Sequence, residues 1–513
     1  MFSDAVTSNP RSIIHLGALT FTAVIIGLVV FLQRRKIDAS LLPPSPNRPW
    51  PREFGVCSAY RHFHDWMKEF GPLITMRKGP SVSDITVIVG DYAACVDLLV
   101  KQGASTIDRP HWIAANEILA RNTRIVTMSS GPNLRKYRKI LNNFLSLRAV
   151  KTFAPLQMKS AKSMIFNILE EPERHQWHAG TYAATVILTL TFGKRTPTDY
   201  RDPAVDQTRR SRDRLFAAMV PGKYAVEKYH WLKHIPFYAP DLKEVRKQEL
   251  FELNEPVDVV RKEMATGIAP PSLTKYMLEN VKDFDLDAED IMSLSGAMFG
   301  AGSSTTAIGI STAVMAAALF RDKLEKVQEE LDNIVGTEHP PTFRHDGMLP
   351  QLQAFILEVA RWRPVLPGGF PHRVSKEVRW QNYVIPAGAI VQGSHWSLCR
   401  DPAVFPDGDA FKPERWLDVN GKIRKDMESY PYGFGRRICP GQHLANRSLF
   451  LTNALLFWVF DILQTEPIDS MAFTDELNPQ PLPFKVEFRL RHGLDRKKLE
   501  DIFRGFGDDI ASY

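Results

Sequence analysis

The stretch Tyr432-Gly433-Phe434-Gly435-Arg436-Arg437-Ile438-Cys439-Pro440-Gly441 decides how this sequence is read. Its three glycines let the backbone turn tightly and lie close against a flat ligand. A single cysteine sits among them, beside two arginines that favour thiolate over thiol. The helix-like run Gln442 to Phe460 follows, so its first amides point back toward the sulfur and stabilise negative charge there. A thiolate on a glycine turn is the ligand a haem iron takes when electron density is to be pushed onto the metal. A lone cysteine is ordinarily one more buried small hydrophobe. These neighbours set Cys439 apart.

Upstream, Ile291 to Phe320 runs thirty residues without a charge, between Asp290 and Arg321. It is apolar nearly all round and must be buried. A membrane span is the competing reading, but the stretch holds eight Ser or Thr and four Gly, and its middle, Gly300 to Thr306, is small and polar. It reads as a long core helix lining a cavity, whose hydroxyls bond back to carbonyls and open a local bend. Asp322 to Val335 alternates charged and apolar residues as a surface helix does. From about 140 to 335 the pattern is mostly helical, with short β-like runs at Asp84 to Gly90 and Tyr383 to Val391. The expected fold is therefore mainly α with small β-sheets, one continuous domain over 51–513, without the regular alternation of a parallel α/β fold.

At the N-terminus, Ile13 to Leu32 carries no charge and one histidine, His15. As a helix it spans roughly 30 Å, the thickness of a bilayer core. Arg34, Arg35 and Lys36 follow, while Arg11 alone precedes, which places the rest of the chain in the cytosol. A cleaved signal peptide has a shorter apolar core with its positive charge in front. The reading is a lumenal segment 1–12, a transmembrane anchor 13–32 and a basic, proline-rich strap 33–50, stiffened through Leu41 to Pro49. The whole chain has 513 residues, 44% apolar and 24% charged, which is ordinary for a globular protein. Its 65 basic and 58 acidic residues give +7, too mild over this length to argue for nucleic acid. Cys57, Cys95, Cys399 and Cys439 form no CxxC pair, which excludes a disulfide framework or a zinc ribbon.

The cysteine segment resembles the haem-binding loop of the cytochrome P450 haem-thiolate monooxygenases, and the resemblance runs from the proline strap to Phe484. Glu358-Val359-Ala360-Arg361 resembles the family's Glu-x-x-Arg helix, where positions i and i+3 share one face. Pro413-Glu414-Arg415-Trp416 resembles the segment that adds a second arginine. The resemblance implies haem b on Cys439 and a buried network of Glu358, Arg361 and Arg415. It implies Arg437, Arg373 and Arg138 on the propionates, with Tyr432, Gly433, Gly441 and Ala301 against the ring. Tyr432 replaces the usual phenylalanine, and Leu134 stands where a tryptophan is usual. Ala301 to Thr306 resembles the oxygen-binding groove, with Thr305 matching the proton-relaying threonine. Ser304 stands where Asp or Glu is usual, and a serine holds water but is no proton reservoir at neutral pH. A water chain through Ser304 and Thr305 would serve a monooxygenase. The alternative is an isomerase or dehydratase that needs no external electrons.

The matching regions expected to face substrate are the loop Ile107 to Ile125, Met298 and Phe299, Val365, Leu366 and Phe370, and Leu482. They are mostly apolar and suit a lipophilic small molecule, and no charged anchor for an acidic or basic substrate stands out. The implied activity inserts one oxygen atom from O2, with electrons from NADPH through cytochrome P450 reductase and cytochrome b5 as a further donor. Arg135, Lys136, Arg138, Lys139 and Arg436 give the flanking segments the basic character that steers an acidic flavoprotein. His395-Trp396-Ser397-Leu398 and Asp401 to Asp407 resemble fungal microsomal members. That implies the endoplasmic reticulum membrane and a tailoring step on a terpenoid, polyketide or alkaloid, with terpenoid preferred. A non-catalytic haem-binding sensor or carrier is the remaining class, and the pocket and electron-partner features argue against it.

Overall fold

The computed structural model describes residues 39–46, 48, 55–79, 81–195, 202–220, 222–427 and 431–508. The expected segment 1–12, the anchor 13–32 and half of the strap 33–50 lie outside the described residues.

Helix α1 (Gly55–Phe70) leads into strands β1 (Leu73–Arg77) and β2 (Ile85–Val89). The long helices of the middle are α2 (Pro132–Phe144), α3 (Ala154–Glu170), α4 (His175–Phe192), α5 (Pro203–Met219), α6 (Pro240–Ala265), α7 (Ala288–Leu319), α8 (Arg321–Ile334) and α9 (Pro350–Trp362). Short strands β3 (His372–Arg373), β4 (Val378–Trp380), β5 (Tyr383–Ile385) and β6 (Ile390–Gly393) come next. Helix α10 (Gln442–Val459), then β7 (Phe460–Gln464) and β8 (Val486–Leu490), complete the set. One sheet has the order β1-β2-β6-β3, with β2 and β6 parallel and the other pairs antiparallel. All five residues of β2 are buried, which is why it reads as a continuous apolar run rather than an alternating one. The remaining strands form two antiparallel pairs, so the fold is mainly helical with small sheets.

Helix α7 organises the interior. It starts with a capping box, in which the Asp290 amide donates to Asp287 Oδ1 at 2.7 Å and the Asp287 amide to Asp290 Oδ2 at 3.4 Å. Its second half, Ala307 to Ala318, is buried throughout among α3, α4 and α10, so its apolar length is used inside the protein. Gly302 and Gly309 let the neighbours approach: an added Cβ would lie 2.5 Å from Ile187 of α4 and 2.8 Å from Leu449 of α10. The Thr305 and Thr312 hydroxyls donate to the Ala301 and Ile308 carbonyls at 2.9 and 2.7 Å. The helix runs unbroken through this region. Each carbonyl has two lone pairs, so a back-bonded hydroxyl need not displace the helical amide.

Candidate active site

A cavity of about 1050 Å³ lies between α7 and the cysteine loop. Cys439, Tyr432, Gly433 and Gly441 line one side, and Ala301, Ser304 and Thr305 line another. Met298, Phe299, Val365, Leu366 and Phe370 complete its apolar walls.

The loop around Cys439 closes on itself through a 2.9 Å bond from the Cys439 amide to the Tyr432 carbonyl. Gly433 and Gly435 have φ of +84° and +52°, the left-handed region that disfavours a side chain. At Gly435 a Cβ would also lie 2.3 Å from the Leu99 carbonyl oxygen. The Tyr432 hydroxyl reaches Asn446 Oδ1 of α10 at 2.5 Å, which uses the group a phenylalanine lacks. Burial pushes the Cys439 thiol above its ordinary value, while the Gly441 amide and Arg138 pull it the other way. The two arginines next in sequence do not act as expected, because Arg436 is exposed and Arg437 turns to main-chain carbonyls. A coordinated metal cation deprotonates such a thiol outright.

Cations, one buried and two half-buried, gather at the edge of the same cavity. Arg437 donates to the carbonyls of Ile107 at 2.8 Å, Ile125 at 3.3 Å and Met128 at 2.7 Å. Arg138 donates to the Ile438 carbonyl at 2.9 Å. Arg109, absent from the expected set, donates to Val126 and Pro371 carbonyls at 3.0 and 2.7 Å. Burial and the mutual repulsion with Arg138 pull Arg437 down to about 10, and burial with Arg437 pulls Arg109 well below its ordinary value. Arg373 departs from its expected role. It does not line the cavity but pairs with Asp108 at 3.2 Å and His111 at 3.1 Å on the outer side. Alternation along β3 turns His372 inward instead, where it lines the cavity and bonds the Thr106 carbonyl at 2.7 Å.

Ser304 has neighbours that lie far from it along the chain. Arg212 of α5 makes a long 3.5 Å contact with Ser304 Oγ and pairs with Glu476 at 3.3 Å. A cavity of about 10 Å³, the size of one water, is lined by Ser304, Ser303, Arg209, Arg212 and Gln480.

The Glu358 network forms as expected. Arg361 is bidentate to Glu358 at 2.8 and 2.7 Å, and Arg415 reaches it at 3.3 Å. The Lys412 amide and Trp416 Nε1 complete the carboxylate at 2.7 and 2.9 Å. Arg361 spends its remaining donors on the carbonyls of Cys399, Gly408 and Ala410. The network therefore ties down the segment 399–416 that precedes the cysteine loop.

Three expectations about the substrate region change. Leu482 is 43% exposed and does not line the cavity, which the C-terminal loop reaches through Asn478. In the loop 107–125, the turn Ile113–Leu119 packs away among Leu215, Ala218 and Val226, and Arg109, Arg124 and Ile125 face the cavity. Charged groups do stand in the wall: Arg124, Arg246 and Glu249 line it, and all three are largely buried.

A thiol on one wall and three guanidiniums at the edge, Arg109 buried and Arg138 and Arg437 half-buried, fit a flat metal cofactor bearing two carboxylates, since the neighbouring Asp108 is already held by Arg373 and the Ser130 amide. The cytochrome P450 family model matches residues 44–488. Cytochrome P450 monooxygenase 64 of Postia placenta is 43% identical over 92% of this chain and 95% of its own. Cytochrome P450 monooxygenase claR of Ampulloclitocybe clavipes is 29% identical over 96% of this chain and 94% of its own. A zebra fish cytochrome P450 solved with progesterone superposes with a TM-score of 0.69 at 21% identity, over 84% of this chain and 99% of that one, which shows the shared fold. The chain belongs to the cytochrome P450 family and is a monooxygenase with fungal relatives.

Proposed function

We propose that the chain is a membrane-anchored haem-thiolate monooxygenase that inserts one oxygen atom into a lipophilic small molecule as a tailoring step of fungal secondary metabolism. The observation that carries this is that Cys439 and Thr305 line one cavity with apolar walls and a cationic edge. Bound through Cys439, with Arg109, Arg138, Arg437 and His372 at its carboxylates, haem supplies the reduction and splitting of O2. The chain supplies the rest. Thr305 donates to its own helix, which leaves its oxygen free to accept a proton-bearing water. Ser304 holds a water in the small cavity beside it, with Arg212 and Glu476 on the solvent side. Met298, Phe299, Val365, Leu366 and Phe370 exclude bulk water and orient one C–H bond.

The tailoring role is supported by three relatives at 42–43% identity from one fungus, as expected of enzymes multiplied to meet diverging substrates. A terpenoid is the preferred class. The segment 13–32 anchors the chain in the endoplasmic reticulum membrane, and NADPH–cytochrome P450 reductase, with cytochrome b5, docks beside the cysteine loop. Arg135, Lys139 and Arg436 are the exposed cations there, since Lys136 is spent on Asp290 and Arg138 on Ile438.

Microsomal expression with a reductase, fed terpenoid, polyketide and indole precursors and read by mass spectrometry, gives a product that requires NADPH. The reduced carbonyl complex shows a red-shifted Soret band that Cys439→Ala abolishes. Pigment and turnover surviving in Cys439→Ala would sink the reading. Ser304 at the acid position favours a second reading, isomerisation or dehydration without external electrons. Product formed without NADPH would establish it. Under the monooxygenase reading, Ser304→Asp raises product formed per NADPH consumed.

A further inference from the structure

Two residues that line the large cavity each keep a buried polar atom without a partner: Nε of Arg246 and Oε1 of Glu249. Arg246 is 4% exposed and Glu249 2%, and the i, i+3 spacing puts both on one face of α6. Buried polar atoms are nearly always satisfied, so two orphans side by side at a cavity ask for an explanation. One end of each side chain is held. Arg246 Nη2 donates to Thr123 Oγ1 at 2.9 Å, Glu289 Oε1 at 2.8 Å and Ser293 Oγ at 2.8 Å. Glu249 Oε2 accepts from Arg124 Nη2 at 2.6 Å, and that guanidinium is also bonded to Ser211. Arg246 pairs with Glu289, and Glu249 with Arg124, rather than with each other.

The geometry points to a hydroxyl-binding subsite: we infer that the substrate arrives already carrying a hydroxyl, which accepts from Arg246 Nε and donates to Glu249 Oε1. A hydroxyl is the simplest group with both functions. The two buried pairs balance each other, and Arg121, which shares Glu289 at 3.3 Å, is largely exposed and screened by water, so the buried charges suit a neutral group better than an ammonium or a carboxylate. The last torsion of a glutamate is soft, so turning the carboxylate toward the cavity needs little. Ser293, which touches Arg246, lies twelve residues before Thr305 on α7. At about 1.5 Å per residue the subsite is about 18 Å along the helix from the reacting end. A molecule held there is oxidised at the end remote from its hydroxyl, so an earlier oxygenation or hydration must supply the substrate. The inference rests on the reading above, in which this cavity holds the substrate.

The test uses equilibrium dialysis of the purified full-length holoprotein. The probes are farnesol, its methyl ether and the matching hydrocarbon, together with the same trio on an unbranched C18 chain. On at least one skeleton the alcohol binds about tenfold or more tighter than its ether, which keeps the acceptor and loses the donor. In Glu249→Gln, Arg124 claims the amide oxygen and the amide nitrogen turns to the cavity, so alcohol and ether bind within about twofold. The inference is overturned if neither alcohol is preferred in the unaltered protein, if no alcohol binds, or if Glu249→Gln keeps the preference. The Soret band and NADPH-dependent turnover are measured on the same preparation. A missing preference with both intact removes the subsite alone. A missing Soret shift removes the monooxygenase reading while the dialysis still reports on the subsite.

Discussion

Two buried ionic clusters in this protein look alike in composition and differ in completeness. Around Glu358, the carboxylate receives five donors from Arg361, Arg415, Lys412 and Trp416, and Arg361 spends its other hydrogens on three carbonyls. Around Glu249, the carboxylate receives Arg124 on one oxygen and nothing on the other, and Arg246 keeps an unused Nε. The first cluster is a closed piece of scaffold. The second belongs to residues of a cavity wall and is left incomplete. Charge burial alone therefore does not tell structure from function; the tally of satisfied atoms does.

The sharpest break in this comparison is the same substitution in both places. Glu358→Gln puts an amide nitrogen among five donors, and we expect a loss of about 3–5 kcal/mol by urea denaturation, with haem lost early in the transition. Arg109→Ala is the intermediate case, a buried cation whose anion comes only with the cofactor. Haem dissociation speeds up by about tenfold or more, measured by transfer to apomyoglobin, while Arg373→Ala, on the outer side, changes it by less than about threefold. Glu249→Gln can turn its amide nitrogen toward the unpartnered side, so denaturation shifts by about 1 kcal/mol or less. A loss as large as that at Glu358 would show that the second cluster is scaffold as well. Leu482→Ala, on the exposed loop, stays within about 0.5 kcal/mol and leaves substrate turnover unchanged.

Sequence made legible what is local. The cysteine loop, the Glu358–Arg361 pair and the small residues of α7 each lie within one short stretch, and each stands where that spacing puts it. Arg373 was misplaced because a two-residue strand turns only one of its side chains inward, and that one is His372. Leu482 was misplaced by its apolar character, while the polar Asn478 reaches the cavity. The thiolate was credited to its sequence neighbours, while Arg138, some three hundred positions away, is the cation that acts on it. The Arg124, Arg246 and Glu249 cluster was illegible, because in sequence Arg246-Lys247-Gln248-Glu249 is an ordinary charged helix surface. Only the packing of α6 over α7 and the loop before α2 buries it. The anchor at 13–32 lies outside the described residues.

Strand β2 finds its parallel partner in β6, with Thr86 opposite Ile390 and Val89 opposite Gly393. A ribosome adding about 5–20 residues per second needs roughly 15–60 s to deliver β6 after β2 has emerged. Through that interval the nascent chain carries Ile85-Thr86-Val87-Ile88-Val89 with one edge unpaired, a run with no charge to discourage a stranger from adding to it. A chain terminated before residue 390 keeps that edge of β2 uncovered, which adds a site for pairing with another chain to the core surface it also leaves exposed.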